Sequence, residues 1–202
     1  MADDGARCAL DVWMSHGDKV VKMPEPKLPG GPTQDEIMAV SLFKLGLCPT
    51  DTVLEIGCGT GKVSVAMARL AGSVSSLDLR PEAVTMAAET ARREGLSNID
   101  FSCTDAADFL KNDLQFDCAF LGGTKNLAGI LPVLAKKVRR TIVINAVMVS
   151  TLERAVATLK DLGLFSEVVQ VQVSRSYDIA GSIMFRPVDP VWIIVGRGTA
   201  CS

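Results

Sequence analysis

The stretch Asp51-Thr-Val-Leu-Glu-Ile-Gly-Cys-Gly-Thr-Gly61 predicts the centre of this protein's fold. Its apolar residues Val53, Leu54 and Ile56 predict a short buried strand, and the three glycines that follow predict a sharp turn. Helical spacing then begins at four apolar positions, Val63, Ala66, Met67 and Leu70. A strand, a glycine turn and a helix place free backbone N–H groups beside a crevice, and glycine lets a ligand approach that backbone. We therefore expect a small-ligand site here, with a tight turn that binds nothing as the alternative.

Three ligand classes use such a turn, and the spacing of the glycines separates them. The dinucleotide fingerprint G-x-G-x-x-G needs a glycine where this chain has Lys62. The phosphate loop G-x-x-x-x-G-K-[ST] needs a glycine in place of Ile56 and a hydroxyl residue in place of Val63. The remaining pattern, E-x-G-x-G-x-G from Glu55 to Gly61, resembles the first motif of class I S-adenosylmethionine-dependent methyltransferases. Glu55 supports a bound ligand, because a buried acid needs partners.

Length and charge exclude several classes of protein. The chain has 202 residues, which predicts one domain that buries roughly 70% of the surface of its unfolded chain. The net charge is −2, so no overall basic field indicates a nucleic-acid partner. The N-terminus begins Met1-Ala-Asp-Asp and lacks the apolar core of a signal peptide. The most apolar run, Ile142 to Val149, is too short to span a bilayer, so we expect no membrane partner.

The cysteines and the single histidine argue against other chemistries. Six cysteines are scattered without a C-x-x-C pair, which disfavours a disulfide framework or a thiolate zinc site and is typical of a reducing cytoplasm. Cys58 lies inside the glycine turn, where a small side chain fits. His16 is the only histidine, which disfavours a multi-histidine metal site and a Ser-His-Asp triad. We therefore predict no metal, and the sequence assigns no catalytic side chain.

The first 32 residues predict an N-terminal extension that ends in a Pro/Gly-rich turn, and residues 33–202 predict the methyltransferase domain. Four prolines and two glycines between Met23 and Pro32 predict a stiff, irregular connector. Thr33 is the predicted cap of the helix that follows. Because this helix leads directly into the central strand, we expect the Gly30-Gly-Pro-Thr33 turn near the glycine turn. A connector that only bends the chain is the alternative.

An acidic residue follows each of the next two predicted strands. Asp78 comes after the strand Ser73 to Leu77, at the distance from Gly57 that a βαβ unit requires to place an acid on a ribose. Asp105-Ala106 comes after the strand Ile99 to Cys103. In the class I methyltransferases that this pattern resembles, an acid at this place accepts a hydrogen bond from the adenine amino group, and the next backbone N–H donates to a ring nitrogen. A single acid could be a helix cap, but two in succession favour a cofactor site. The predicted S-adenosylmethionine site comprises Thr33, Gly57, Cys58, Gly59, Thr60, Gly61, Asp78, Asp105 and Ala106.

The later segments continue the alternation of strands and helices. Four more strands are predicted, at Phe116 to Leu121, Thr141 to Val147, Val169 to Val173 and Val191 to Val195. Ser150-Thr-Leu-Glu153 predicts a capping box, and Pro132 predicts a kink or the true start of its helix. A loop is predicted from Ser174 to Pro190. The pattern predicts an α/β protein with the Rossmann-like fold of class I methyltransferases, a seven-stranded and mostly parallel sheet with one antiparallel strand near its edge.

The pair Gly122-Gly123 after the fourth strand narrows the chemistry. Methyltransferases that act on amino groups of DNA bases or of protein glutamine typically carry Asn/Asp-Pro-Pro-Tyr/Phe at this place. This chain has Leu-Gly-Gly-Thr-Lys instead, so that chemistry is disfavoured. A glycine pair leaves room for a bulky, flat substrate to approach the methyl group. A tight turn without a substrate role is the alternative.

A more specific resemblance runs from about residue 25 to residue 197. Its motifs occur in order, namely Gly30-Gly-Pro-Thr33, the glycine turn, Asp78 with Arg80-Pro-Glu-Ala83, Asp105-Ala106, Gly122-Gly123, Ile144-Asn-Ala-Val147, Val169 to Arg175 and Pro190-Val-Trp-Ile-Ile194. Together they resemble the decarboxylating cobalt-precorrin-6B C15-methyltransferases of cobalamin biosynthesis. The resemblance implies methylation of a ring carbon of a tetrapyrrole, loss of CO2 from its C12 acetate side chain, and assembly as a homo-oligomer, a tetramer in the family.

The substrate of that family carries many carboxylates, although this chain is acidic overall. Its binding site must therefore contain local cations, and the candidates are Lys125, Arg175 and Arg186, near Gly122-Gly123 and at the two ends of the Ser174–Pro190 loop. Surface charges that contact only solvent are the alternative for each. Two other functions remain open at this stage. They are an RNA-adenine or protein isoaspartyl methyltransferase with the same cofactor half, and a non-catalytic S-adenosylmethionine-binding module.

Overall fold

The computed structural model describes residues 31–198. The predictions that fall on residues 1–30, including the extension and Gly30, lie outside this range. The helices of the described chain are α1 (Asp35–Leu45), α2 (Lys62–Ala68), α3 (Pro81–Arg93), α4 (Ala106–Phe109), α5 (Leu127–Leu134) and α6 (Val149–Asp161). The strands are β1 (Thr52–Ile56), β2 (Ser73–Asp78), β3 (Ile99–Cys103), β4 (Phe116–Leu121), β5 (Val138–Ala146), β6 (Phe165–Val171), β7 (Ser174–Ile179), β8 (Ser182–Pro187) and β9 (Val191–Arg197).

Seven strands form one sheet in the order β3-β2-β1-β4-β5-β9-β6. Strand β9 runs antiparallel to both of its neighbours, and the pairs from β3 to β5 are parallel. This confirms the predicted α/β class with one antiparallel strand next to the edge. The strand order reverses between β1 and β4, where open α/β sheets leave a crevice at the carboxyl ends of the strands. The glycine turn after β1 therefore lies at the position where such folds bind their ligands.

The two faces of the sheet are covered by separate apolar layers. On one face α1 and α2 bury Ile37 and Met67 against Val53 of β1 and Phe120 of β4. On the other face α5 and α6 bury their own leucines and alanines against Leu54, Leu121 and Ile142. Burying each large side chain stabilises the fold by roughly 1.5–3 kcal/mol, so the central strands are held from both sides. The carboxyl ends of β1 and β4 are thereby fixed relative to each other.

The boundaries of three helices differ from the sequence predictions. Gln34 is the N-cap of α1, so the assignment of Thr33 as the cap is wrong by one residue. The capping box at Ser150 is wrong, because α6 begins at Val149 and its N-cap makes no side-chain hydrogen bond. Pro132 lies inside α5 and does not start it, since Leu127 follows a left-handed residue that redirects the chain. Among residues 31–198 no helix is long and apolar enough to cross a membrane.

The predicted loop from Ser174 to Pro190 is wrong. Strands β7 and β8 form an antiparallel hairpin that is a separate two-stranded sheet, with Arg175 directly opposite Arg186. Its two-residue turn, Ala180-Gly181, has φ values of 51° and 78°, as the common tight hairpin turns require. The signal for this turn is weak in the sequence because alanine, unlike asparagine, is uncommon at a positive φ.

Candidate active site

The glycine turn allows two strand ends to approach each other closely. Gly57 has a φ of 91°, and a Cβ on it would lie 2.4 Å from the backbone nitrogen of Gly123. The carbonyl oxygen of Ile56 accepts hydrogen bonds from the backbone N–H groups of Gly122 and Gly123, at 3.0 and 2.9 Å. Any side chain at Gly57 would force β1 and β4 apart. Gly57 is therefore required for packing between the two strand ends, and the predicted approach of a ligand to this backbone stays a prediction.

Glu55 lies beneath this turn with an incomplete set of partners. Its Oε2 accepts hydrogen bonds from the hydroxyls of Ser64 on α2 and Ser76 on β2, the latter at 2.7 Å. Its Oε1 is buried without a partner in the described chain. Burial raises the pKa of the Glu55 carboxyl to about 7, although the two serine hydroxyls oppose this shift. Native proteins pair nearly all buried polar atoms, so the unpaired oxygen marks Glu55 as an acceptor open to a donor.

Asp78 is the last residue of β2 and is buried, and both oxygens of its carboxylate accept hydrogen bonds. One oxygen accepts from the backbone nitrogen and Nε of Arg80, at 3.1 and 2.9 Å. The other accepts from Gly59 N at 3.1 Å and from the Arg80 guanidinium at 3.0 Å. Burial by itself would raise the pKa of Asp78, but these bonds hold it below its usual value. The carboxylate is thus kept charged at the rim of the turn.

A cavity of about 280 Å³ extends from Asp78 to the end of β3. Asp105 and Ala106 line it, together with Leu77 and Ile130 from the apolar layer below. One oxygen of the Asp105 carboxylate caps α4 by accepting from the backbone nitrogen of Ala107 at 2.8 Å. Asp105 therefore caps α4, the alternative that the sequence left open, and it also lines the cavity in which the cofactor was predicted.

A second cavity, of about 410 Å³, lies on the other side of the glycine turn, under the start of α1. Thr33, Glu55 and Asn145 line it, and so do the ends of β4 and β9. The two cavities share four residues, Gly57, Arg80, Gly122 and Thr124. They meet where Gly57 contacts the Gly122-Gly123 pair, so a ligand in one cavity can reach a ligand in the other.

Most of the predicted cofactor residues line this pair of cavities. Thr33, Gly57, Cys58, Gly59 and Thr60 line the larger one, and Asp78, Asp105 and Ala106 line the smaller one. Gly61 is buried against α3, where a Cβ would lie 2.6 Å from Ala87 Cα, so its role is helix packing. Burial raises the pKa of the Cys58 thiol, and nearby acids add to the shift, which keeps this thiol neutral.

The three predicted substrate cations do not form one cluster. Lys125 lines the 280 Å³ cavity beside Gly122-Gly123. Arg175 is half exposed and pairs with Glu36 of α1 at 2.7 Å, and Arg186 lies over the Tyr177 ring at 4.9 Å. The hairpin thus presents its two arginines side by side, and Arg175 contacts the start of α1.

Several residues of the site had no sequence motif to mark them. Lys62, considered only as an obstacle to dinucleotide binding, pairs with Asp35 at 2.7 Å and donates to the carbonyl oxygen of Thr33 at 3.0 Å. It therefore ties the start of α1 to the glycine turn. Ser64 and Ser76, which hold Glu55, become visible only when the sheet brings β1, β2 and α2 together. Among residues 31–198 no group of acidic, cysteine or histidine side chains is arranged to hold a metal ion.

Comparison with known proteins decides among the methyltransferase classes. A family model described as a precorrin methyltransferase domain matches residues 29–196. This chain belongs to the precorrin methyltransferase family. A family member from Methanosarcina mazei, named cobalt-precorrin-6B C(15)-methyltransferase (decarboxylating), is 44% identical over 173 residues, which are 83% of this chain and 94% of that protein.

Two solved structures of the family share the fold. The precorrin-8w decarboxylase of Methanobacterium thermoautotrophicum superposes with a TM-score of 0.80 at 27% identity, covering 84% of this chain and 95% of the other. The precorrin-6Y C5,15-methyltransferase of Geobacter metallireducens superposes with a TM-score of 0.79 at 27% identity, covering 85% and 93%. As a member of this family the chain is an S-adenosylmethionine-dependent methyltransferase, as predicted.

Proposed function

We propose that this precorrin methyltransferase transfers a methyl group to carbon 15 of cobalt-precorrin-6B and releases CO2 from the C12 acetate side chain, a step of cobalamin biosynthesis. The observation that carries the proposal is the pair of cavities that meet at Gly57 and Gly122. One is mostly apolar and is lined by the acids Asp78 and Asp105, and the other is larger and lies beneath the start of α1. Relatives that match nearly their full length to this chain are named for this reaction.

The residues around the glycine turn fit S-adenosylmethionine. Asp105 and the backbone of Ala106 would hold the adenine base and Asp78 would hold the ribose, which is supported by their position around the 280 Å³ cavity. The cationic end of the cofactor then lies over the turn, where the unpaired Oε1 of Glu55 is a ready acceptor for an ammonium group. Gly59 has open space around it, since a Cβ there would meet nothing within 4 Å. When bound, S-adenosylmethionine supplies an electrophilic methyl group on a sulfonium.

The protein needs no activated nucleophile for this reaction. The conjugated macrocycle is itself the carbon nucleophile, and it also accepts the electrons that decarboxylation releases. The role of the chain is to align the methyl donor with the ring carbon, which contributes roughly 7–11 kcal/mol when the geometry is enforced. Gly122 and Gly123 leave the approach to the methyl group open, because they have no side chains between the two cavities.

The carboxylates of the tetrapyrrole require cations outside the cofactor cavity. We propose Arg175 and Arg186 of the hairpin for this role, and Lys125 at the Gly122-Gly123 side. Like charges directly opposite each other in a hairpin are unfavourable unless an anion compensates them. Glu36 meets one of the two arginines, and a carboxylate of the substrate can meet the other.

We propose that this chain assembles as a homo-oligomer, a tetramer, through the β7–β8 hairpin. Strand β8 exposes Ile183 and Phe185, which point to the same face of the hairpin and are 73% and 67% accessible. Monomeric proteins rarely expose large apolar side chains in one contiguous patch, and an exposed strand edge invites pairing with another chain. A second copy of the same hairpin fits this surface, because symmetric dimers bury the same patch on both subunits.

The test of the function uses methyl-labelled S-adenosylmethionine and three parallel reactions, with cobalt-precorrin-6B, with transfer RNA and with no acceptor. We expect label in the corrinoid alone. Label in the RNA would favour an RNA-adenine methyltransferase, and binding of the cofactor without transfer to any acceptor would favour a non-catalytic module. Either result contradicts the proposal.

A further inference from the structure

Three consecutive apolar side chains are exposed where β5 passes into α6. In this 147–149 segment Val147, Met148 and Val149 are 65%, 62% and 64% accessible, whereas Ala146 just before them is buried. Soluble proteins avoid a run of exposed apolar residues unless the run serves a function. The cofactor site proposed above does not explain the segment, because none of its three residues lines the 280 Å³ cavity.

The middle residue of the segment departs from a local rule of helix formation. Met148 is the N-cap of α6, and its side chain makes no capping hydrogen bond. Serine, threonine, asparagine and aspartate are preferred at this position, because their side chains accept from the free backbone N–H groups of the first turn. A methionine does not supply this stabilisation. Departures from local preference of this kind are expected at functional sites.

The segment begins in the wall of the 410 Å³ cavity. Val147 and Met148 line this cavity, and so does Gly122. Strand β5 pairs with β4 up to Ile144, which lies opposite Leu121, directly before Gly122. Because neighbouring strands lie about 4.8 Å apart, the segment starts close to the glycine pair at which the two cavities meet.

The two sides of this cavity differ in polarity. Toward β1 it is lined by the glycine turn and by Thr33 and Lys62. Toward β9 the apolar segment is joined by Val188 and Val191, with the acid Asp189 between them in the chain. A ligand that matches both sides has an apolar face and a polar edge. A tetrapyrrole has this form, since its conjugated ring is flat and its carboxylates lie at the periphery.

On the basis of the proposed function, we propose that the 147–149 segment is the platform on which one face of the macrocycle stacks, with Met148 at its centre. Stacking removes apolar surface of both partners from water, which favours binding without any charge. The methionine side chain is unbranched and flexible, so it follows the surface of the ring, and its sulfur contacts conjugated rings favourably. The platform holds the ring beside the glycine pair, while cations hold its carboxylates.

A second copy of this chain is the other partner that an exposed apolar surface suggests. The segment is part of the wall of the proposed substrate cavity, so a subunit seated on it would cover the space that the macrocycle needs. The hairpin, which exposes Ile183 and Phe185, is the surface proposed above for assembly. The structure therefore favours the substrate as the partner of the 147–149 segment.

The test is binding of cobalt-precorrin-6B to enzyme saturated with S-adenosylhomocysteine, so that no methyl transfer occurs, measured by calorimetry at low and at high salt. We expect Met148→Ser to bind the corrinoid about tenfold more weakly, because most of the apolar contact is lost. The loss is the same at both salt concentrations, since no charge is removed. Met148→Leu keeps the apolar volume and binds within about twofold of the wild type. Serine is a preferred N-cap residue, so Met148→Ser keeps α6 folded.

Val147→Thr is a second, independent variant. It replaces a methyl group of the platform by a hydroxyl of nearly the same size, and we expect it to weaken binding of the corrinoid about threefold. Val133→Thr makes the same change at a half-exposed valine of α5 that lines neither cavity, and as the matched control it leaves the affinity unchanged. Every variant binds S-adenosylhomocysteine as the wild type does.

The other outcomes contradict the inference in distinguishable ways. Wild-type affinity for the corrinoid in Met148→Ser and Val147→Thr removes the segment from the substrate site. An equal loss in Met148→Leu shows that the contact is not an apolar one, and a loss confined to low salt shows that it depends on charge. A smaller mass of Met148→Ser in light scattering assigns the segment to a subunit interface. A wild type that does not bind the corrinoid contradicts the proposed function itself.

Discussion

At the scale of single residues, Asp78 is the proposed partner of the cofactor's ribose. Its carboxylate accepts hydrogen bonds from Arg80 and from the N–H of Gly59, so a ribose bound as proposed would displace part of the Arg80 contact. We expect Asp78→Asn to weaken binding of S-adenosylhomocysteine by about 10- to 100-fold, the scale for charge-assisted hydrogen bonds. Calorimetry measures this. Asp117→Asn removes an acid that binds Thr52 at the other end of the sheet and is the matched control. Unchanged affinity in Asp78→Asn would remove it from the site.

Glu55 makes the stability of the protein depend on pH. Its folded pKa is about 7, above the unfolded value of 4.5, because burial disfavours the charged form. Between these values the folded state keeps a proton that the unfolded chain has lost, so the free energy of unfolding falls as pH rises through the folded pKa. This shift in the pKa of Glu55 corresponds to a decrease in the free energy of unfolding on the order of 3 kcal/mol.

Glu55→Gln removes this titration. In the wild type, titration of Glu55 lowers the free energy of unfolding between about pH 5 and about pH 8. We expect the variant to lack this decrease and to be more stable than the wild type near pH 8. Urea unfolding at a series of pH values measures the effect. A variant with the same pH profile as the wild type would show that Glu55 is charged in the folded protein.

At the scale of elements, the hairpin carries the proposed substrate cations. We expect Arg175→Ala and Arg186→Ala to weaken binding of cobalt-precorrin-6B and to leave the affinity for S-adenosylhomocysteine unchanged. High salt should reduce the difference between wild type and variants, because it screens exposed charges. Arg69→Ala, which removes an exposed arginine that pairs with Glu94 just after α3, is the control. Wild-type kcat/KM for the corrinoid in both hairpin variants at low salt would contradict the role of the hairpin.

The β7–β8 hairpin also shows which parts of the fold cannot be predicted from the sequence. The strands around the glycine turn are predictable because they are buried on both faces and therefore mostly apolar, as at Val53, Leu54 and Ile56. The hairpin is exposed along most of its length, so no apolar alternation marks it, and Ala180 conceals its turn. Contacts between residues that are far apart in the chain are equally hard to predict from the sequence. Ser41 and Asn145 are 104 residues apart in the chain, and only the packing of α1 on β5 brings them together.

At the scale of the whole molecule, the hairpin predicts the state of assembly. We expect light scattering to give the mass of a homo-oligomer for the wild type and a smaller mass for Phe185→Lys or Ile183→Lys, because a charge in a buried apolar interface is unfavourable. Leu114→Lys changes a half-exposed leucine outside the hairpin and should leave the mass unchanged. A wild type that is monomeric at all concentrations would contradict this proposal.

The measurement that tests the central claim most directly follows both halves of the reaction in one tube. The enzyme is given S-adenosylmethionine with a carbon-13 methyl group and cobalt-precorrin-6B, and the product is examined by NMR while CO2 is collected. We predict a labelled methyl group on carbon 15 and one CO2 released for each methyl group transferred. A label on any other atom, or methylation without release of CO2, would contradict the account.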